Sequence, residues 1–294
     1  MSASPIRPAV ITDEITQDFE RALDVMLEYG VRTAELRGLW GVNIMDLTPE
    51  QRAQARSALQ RRGISVCGLA TPIFKCNLFP AEDDRAQGPM HLATERTLAD
   101  QDALLEHAFE LGTYFDTKLI RVFSFWRQAE PSAELITRVA AALQPAAAWA
   151  ASSGFLLGLE NEHSCFLGTG EETAAALAQV SSPGVRCVWD PGNSFFAGAV
   201  PFPDDYEAVR DYVAHVHIKD AVRGADGKPQ WTVVGEGELD YRGHLERLIS
   251  DGYQGFASLE THYRPPSGDT EEGSRACLAG MCRLLRETGA WDGK

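Results

Sequence analysis

The chain has no run of basic residues and no apolar segment long enough to cross a membrane. Lys and Arg number 27 against 42 Asp and Glu, which gives a net charge of -15 at pH 7. This charge repels nucleic-acid backbones, and no basic patch offsets it, so we expect no nucleic-acid partner. A helix needs about 20 consecutive apolar residues to span a bilayer, and no run approaches that length, so we expect no membrane partner.

The chain also lacks a Cys-x-x-Cys pair, which argues against a zinc finger and against a disulfide framework. The six cysteines are scattered through the sequence: Cys67, Cys76, Cys165, Cys187, Cys277 and Cys282. Residues 1–8 contain no positively charged region followed by an apolar stretch, so they do not resemble a signal peptide. We expect reduced thiols and a cytoplasmic protein.

What the sequence does contain is a regular alternation of short β-rich runs and longer segments with helical spacing. Strands are predicted at 9–12, 33–37, 65–70, 119–124, 155–160, 185–190, 213–220 and 256–260. Helices are predicted at 18–29, from 49 onward, and at 93–111, 133–152, 170–180, 206–212, 241–251 and 272–288. Eight such units in 294 residues predict one domain, 1–294, that forms a single (β/α)8 TIM barrel. The alternative is a doubly wound open sheet, which usually carries a glycine-rich phosphate turn after its first strand; none is present.

Two further features concern the surface of the predicted barrel. The segment at about 71–92 is too long for an ordinary connection, and long ordered loops often act as lids. The apolar residues Phe195, Phe196 and 78–80 leave two interpretations open, which are a lid or an interface in a homo-oligomer.

Ionisable residues lie at the ends of four consecutive predicted strands. Glu160, Asp190 and Glu260 each close an apolar strand, and His217 lies near the end of another. The active site of such a barrel lies at the C-terminal strand ends, so these side chains are expected to converge there. A carboxylate at one strand end is usually a helix cap or an ion-pair partner, but four ionisable residues in successive units favour a metal site.

One divalent cation would relieve the repulsion among the three carboxylates, which otherwise raise each other's pKa. An imidazole with three carboxylates suits manganese, our first choice, with magnesium, cobalt or zinc as alternatives. Thiolates are absent from these strand ends, which argues against a purely structural zinc.

Other polar residues near the strand ends are candidates for substrate binding. They are Glu35, Arg37, Lys75, His163, Asn193, Lys219, Arg223 and His262. Several are cationic, which suggests a small carbohydrate substrate with an anionic group, held locally against the overall negative charge. The alternative is that these cations neutralise the carboxylates, or that some side chains are simply exposed.

The strings GLENEHS, WDPGNS, HVHIKDA, VVGEGELDY and DGYQGFASLETHYRP resemble the xylose-isomerase-like barrel superfamily. That superfamily includes sugar-phosphate isomerases and epimerases, ketose 3-epimerases, inosose dehydratases and endonuclease IV. The resemblance implies metal ligation by Glu160, Asp190, His217 and Glu260. In the epimerases the glutamates matching Glu160 and Glu260 also act as the acid/base pair, on opposite faces of the substrate.

The leading hypothesis is therefore a metal-dependent isomerase or epimerase that acts on a sugar, sugar acid or sugar phosphate through a metal-stabilised enediolate. The alternative is a lyase (a dehydratase, a decarboxylase or a C-glycoside-cleaving enzyme) acting on a keto-sugar, a keto-sugar acid or a cyclitol. Asn193 departs from the histidine found at this place in many ketose epimerases, and asparagine cannot shuttle a proton near neutral pH. An endonuclease is disfavoured by the net charge, and a non-catalytic sugar-binding barrel would not need two glutamates on the metal.

Overall fold

A computed structural model describes residues 5–80, 88 and 90–293, and all structural statements concern these residues. Within them, eight parallel strands close into a TIM barrel, which confirms the predicted fold class. Each strand pairs with its neighbours along the chain, and the last strand pairs with the first. The barrel strands are β1 (Arg7–Ile11), β2 (Thr33–Leu36), β3 (Ser65–Leu69), β4 (Leu119–Val122), β5 (Leu156–Glu160), β6 (Val185–Trp189), β7 (Val213–Ile218) and β8 (Phe256–Leu259).

Helices cover the outside of the barrel and pack their apolar faces against the strands. They are α1 (Phe19–Glu28), α2 (Pro49–Arg62), α3 (Gln101–Phe115), α4 (Ala133–Ser152), α5 (Gly170–Leu177), α6 (Pro191–Phe196), α7 (Tyr206–Val209), α8 (Tyr241–Ser250) and α9 (Thr270–Glu287). Local sequence fixes where several of them begin. Thr48 and Gln51 form a capping box at the start of α2, with Pro49 as its first residue.

The helix predicted at 93–111 is wrong at its N-terminus, because α3 begins at Gln101. Residues 91–100 include no buried position, so no apolar face is available there to hold a helix on the barrel. Thr97 and Asp100 instead form a capping box around a 3-10 turn that leads into α3. Residues 81–87 and 89 of the predicted lid lie outside the described residues.

The sequence patterns also gave no indication of α6 or of two short antiparallel hairpins. One hairpin pairs Gly38–Leu39 with Val42–Asn43, and the other pairs Asp220–Arg223 with Pro229–Thr232. The second begins where β7 was predicted to continue. Among the described residues, no helix has the length and apolar character needed to cross a membrane.

Candidate metal centre

The four predicted metal ligands meet at the C-terminal end of the barrel. Glu160 ends β5, Asp190 follows β6 directly, His217 lies in β7 and Glu260 follows β8 directly. Each offers one ligand atom, and these four atoms all lie within 4.8 Å of one another. All four side chains are buried. Barrel closure therefore brings together residues that span a hundred positions of the sequence.

The ring of His217 is held from below by Glu35. His215 and His217 are two residues apart on β7, so both point into the barrel. The Nε2 atoms of His215 and His217 lie 3.0 and 3.2 Å from Oε2 of Glu35. Burial raises the pKa of Glu35, but the two imidazoles outweigh it and hold that pKa well below its usual value. Burial lowers the pKa of His217, but Glu35 and Glu160 outweigh it and hold that pKa well above its usual value. A carboxylate accepts hydrogen bonds only, so Nε2 of His217 keeps its proton towards Glu35, and Nδ1 is the nitrogen that a metal would bind after it loses its own.

Nδ1 of His217 faces the three carboxylates. It lies 3.4 Å from Oε1 of Glu160, 3.6 Å from Oε2 of Glu260 and 3.9 Å from Oδ2 of Asp190. This buried nitrogen has no hydrogen-bond partner among the described residues. One imidazole nitrogen and three carboxylate oxygens that face one another form a donor set suited to a divalent cation.

The pKa of Asp190 reflects the burial and the repulsion between carboxylates that such a cation would offset. Burial, together with the charges of Glu260 and Glu160, raises the pKa of Asp190 to about 7, although the ammonium of Lys219 opposes the shift. The residues therefore fit a divalent metal ion in both geometry and charge.

The two glutamates each turn their second oxygen towards an arginine. Oε2 of Glu160 lies 3.2 Å from Nη1 of Arg121, a buried residue of β4. Oε1 of Glu260 accepts a hydrogen bond of 3.0 Å from Nη1 of Arg37. Asn193 also donates from Nδ2 to Oε1 of Glu160 at 3.1 Å. These contacts fix which oxygen of each glutamate faces His217.

Arg37 was a candidate for substrate binding, yet its guanidinium is committed to three carboxylates. Besides Glu260, it donates to Oδ2 of Asp13 at 3.0 Å and to Oε1 of Glu14 at 2.5 Å. Sequence reasoning missed Asp13 and Glu14, which lie two and three residues beyond the end of β1. The strand-end rule, applied to the first strand, would have found them.

Lys219 lies deeper than a rim residue. Its Nζ is 2.8 Å from Oδ2 of Asp190 and 2.7 Å from Oε2 of Glu260. Burial lowers the pKa of Lys219, but the two carboxylates outweigh it and raise that pKa above its ordinary value. The ammonium is thus held among the oxygens that surround Nδ1 of His217.

A second polar cluster lies at the mouth beside β5. Nζ of Lys75 is 3.8 Å from Oε2 of Glu162 and lies over the Phe123 ring, 4.2 Å from its centroid. Nδ1 of His163 is 3.0 Å from Oε1 of Glu162 and 3.4 Å from Oδ1 of Asn193. Glu162, which sequence reasoning did not identify, therefore links two of the predicted substrate-binding residues.

The opposite side of the mouth is formed by His262. Its Nε2 lies 3.7 Å from Oε1 of Glu260, and its ring stacks on His91 with centroids 5.9 Å apart. Burial and nearby cations hold the pKa of His262 well below its ordinary value. His91 was not predicted; no strand precedes it, so the strand-end rule offers no signal for it.

The structure does not bring Arg223 to this cluster. It ends the first strand of the Asp220–Arg223 hairpin, is exposed, and lies over the Phe195 ring at 4.5 Å. The nearby Gly235 and Gly237 amides donate to Oδ2 of Asp220 at 2.8 and 3.0 Å. The segment that contains Gly235 and Gly237 is therefore a turn anchored by a carboxylate.

Solved structures share this architecture at low sequence identity. The probable 3-DHS dehydratase AsbF from Bacillus anthracis is 17% identical, with a TM-score of 0.71 over 96% of this chain and 99% of that chain. L-ribulose 3-epimerase is 16% identical, with a TM-score of 0.70 over 96% and 95% of the two chains. The IOLI protein, solved with a zinc atom, is 16% identical, with a TM-score of 0.73 over 96% and 99%. These likenesses establish the fold.

No curated protein matched the chain. One protein-family model matches the chain over most of its sequence. The model of the xylose isomerase-like TIM barrel family matches residues 23–280, and the chain therefore belongs to that family.

Proposed function

We propose that the protein is a divalent-metal-dependent isomerase or epimerase that acts on a small carbohydrate with an anionic group. The observation that carries the proposal is the buried Nδ1 of His217, which faces three carboxylate oxygens and has no hydrogen bond within the described part of the chain. Glu160, Asp190, His217 and Glu260 are the proposed ligands. Manganese is the preferred metal, with magnesium, cobalt or zinc as alternatives.

The bound cation would supply Lewis-acid stabilisation for negative charge that develops on a substrate oxygen. The chain itself supplies two carboxylates for proton transfer. Glu160 and Glu260 follow strands separated by two others in the barrel, so they approach a substrate from different sides. One, ionised, would remove a proton from the carbon next to a carbonyl, and the other, protonated before the step, would deliver its own proton to the opposite face, which inverts that carbon.

Each of the two glutamates contacts a buried arginine. Burial raises the pKa of Glu260, but Lys219, the nearby histidines and Arg37 outweigh it and hold that pKa well below its usual value, so Glu260 is in the form that accepts a proton. Arg121 makes the corresponding contact with Glu160. Each pair also fixes the rotation of its carboxylate, so one oxygen stays towards His217. A single glutamate serving two neighbouring carbons would isomerise the substrate, so both reactions follow from one arrangement.

The cationic side chains around the mouth support an anionic substrate. Lys75 is buried at the mouth and Lys219 lies deeper, beside Asp190 and Glu260, and a buried ammonium is costly unless it meets a negative group. In the substrate-free chain those negative groups are carboxylates of the protein itself. A sugar acid or sugar phosphate would offer a further anionic partner at the same place.

A lyase is the second candidate, and Asn193 favours it. This buried amide is committed to Glu160 through Nδ2, and its backbone N–H donates to Oδ1 of Asp190 at 2.9 Å. Asparagine cannot carry a proton, which leaves one proton-transfer group fewer at this side of the site than a histidine would provide. In a dehydratase the enediolate would expel the hydroxyl of the adjacent carbon, which leaves as water after it takes a proton from one of the glutamates. In a decarboxylase, loss of carbon dioxide from the carbon next to the carbonyl would itself form the enediolate, which is then protonated.

The proposal is tested by incubating the manganese-loaded protein with ketoses, sugar phosphates and keto-acids in deuterated water. An isomerase or epimerase leaves the carbon skeleton and formula intact and places deuterium next to the carbonyl. Loss of water or of carbon dioxide identifies a lyase instead. Turnover without exchange would exclude proton transfer at that carbon, and full activity without metal would contradict the proposal.

The role of the glutamates is tested by Glu160→Gln and Glu260→Gln. Each is expected to reduce kcat by about 10²–10⁴-fold, because general acid/base catalysis typically contributes that much. Glu246→Gln, at an exposed position of α8, is the matched control and should keep the wild-type rate. Wild-type turnover in either site variant would rule out the acid/base role.

A further inference from the structure

Lys219 and the proposed metal ion depend on the same carboxylate oxygens. Oδ2 of Asp190 and Oε2 of Glu260 are the oxygens of those residues that lie near Nδ1 of His217, at 3.9 and 3.6 Å. They are also the oxygens that Nζ of Lys219 approaches to 2.8 and 2.7 Å. The ammonium therefore lies beside the four proposed ligands and compensates the charges of Asp190 and Glu260, two of the three carboxylates.

The position of this ammonium is built into the fold. Lys219 directly follows β7, and its side chain passes Gly192 of α6, where an added Cβ would lie 2.7 Å from Cγ of Lys219. Its backbone N–H donates to the hydroxyl of Tyr241, which in turn donates to the carbonyl of Lys219 at 2.7 Å. Its Nζ lies 5.2 Å from the centroid of the Trp231 ring. A buried lysine fixed at both ends cannot move far from the two carboxylates.

We propose that Lys219 is a positioning residue that sets the metal affinity of the site, because it holds two of the proposed ligands together and also repels the cation that they would bind. In the metal-free chain its ammonium prevents the buried carboxylates from repelling each other. When a divalent cation enters, the same ammonium repels it at close range, in surroundings where charges are weakly screened. This inference deepens the proposed function and rests on it.

The test is isothermal titration of the metal-free protein with Mn²⁺ alone. Lys219→Met removes the charge and keeps the stem, and we expect it to bind Mn²⁺ at least tenfold more tightly than the wild type. Lys219→Arg keeps a cation at this position and should bind Mn²⁺ within a few-fold of the wild type. A gain in affinity is informative, because a purely structural role for Lys219 would weaken metal binding on removal.

Thermal unfolding provides the second readout. Without metal, Lys219→Met should melt below the wild type, and saturating Mn²⁺ should raise its Tm by more than it raises that of the wild type. Lys219→Gln, which still donates a hydrogen bond, replaces the methionine variant if the latter does not fold without metal. Equal or weaker Mn²⁺ binding by the folded variant would overturn the inference. Absence of Mn²⁺ binding by the wild type would contradict the proposed function instead.

Discussion

Replacing Arg37 by methionine should destabilise the protein strongly, because Arg37 compensates three buried carboxylates at once. Its guanidinium contacts Asp13, Glu14 and Glu260, and all four side chains are less than 5% exposed. Removing one partner of a buried ion pair typically costs about 3–5 kcal/mol, since it leaves an uncompensated buried charge. With about 2–4 °C of Tm lost per kcal/mol in a domain of this size class, the expected fall is about 6–20 °C.

The matched control is Arg21→Met. Arg21 makes a two-bond ion pair with Glu271 at 3.0 and 2.6 Å, so its geometry resembles that of Arg37, but 45% of its side chain is exposed. Exposed pairs contribute about 0–1 kcal/mol, so this variant should lose no more than a few degrees. Urea unfolding and calorimetry of both metal-free variants measure the difference. An Arg37→Met variant as stable as Arg21→Met would refute the reasoning.

The loss in Arg37→Met should also depend on pH. Burial already raises the pKa of Glu14 above its value in the unfolded chain, and Arg37 opposes that rise. Without Arg37 the pKa of Glu14 in the folded variant rises further, so protonation of Glu14 stabilises the folded variant at low pH. This stabilisation is lost as pH rises. The stability difference from wild type should therefore be largest above pH 7 and shrink towards pH 5. A difference that stays constant over this range would show that the carboxylates do not remain charged and buried.

Two further predictions concern side chains beneath and beside the site. Glu35→Gln removes the charge that orients His217, so Mn²⁺ affinity should fall about 10–100-fold by titration calorimetry; unchanged affinity would contradict the role of Glu35. Burial lowers the pKa of His244 from 6.5 to about 3, and its Nε2 accepts a hydrogen bond from Nε1 of Trp189. Because the pKa of His244 is depressed in the folded chain, its contribution to the free energy of unfolding is complete above pH 6.5 and is lost as pH falls towards 3. At pH 5 the loss is about 2 kcal/mol. In urea unfolding, the free energy of unfolding of His244→Gln should depend less steeply on pH over this range than that of the wild type. An equally steep pH dependence would exclude His244 as its source.

Much of the fold was predictable because each unit of the barrel carries local signals. Apolar β-rich runs, helical spacing and caps such as Thr48 depend only on neighbouring residues. The start of the helix predicted at 93–111 was wrong because residues 91–100 have no buried face, whereas the helix from Gln101 onward was predicted correctly. The hairpin at Asp220–Arg223 was missed because its sequence continued an apolar strand, and it carries Arg223 away from the ligands.

The clustering of the four proposed ligands could be predicted from the sequence because closure of a barrel brings the ends of all its strands together, whatever the details of packing. Glu160, Asp190, His217 and Glu260 needed only to stand at those ends. What each oxygen contacts was decided by tertiary structure alone. Arg37 and Glu260 are separated by 223 positions, and a shift of one residue in a strand would direct either side chain away from the other. Only the folded barrel shows that Nδ1 of His217 has no hydrogen bond among the described residues and that Lys219 contacts the carboxylates of Asp190 and Glu260. These contacts depend on distances of a few ångströms between elements that are far apart in the sequence.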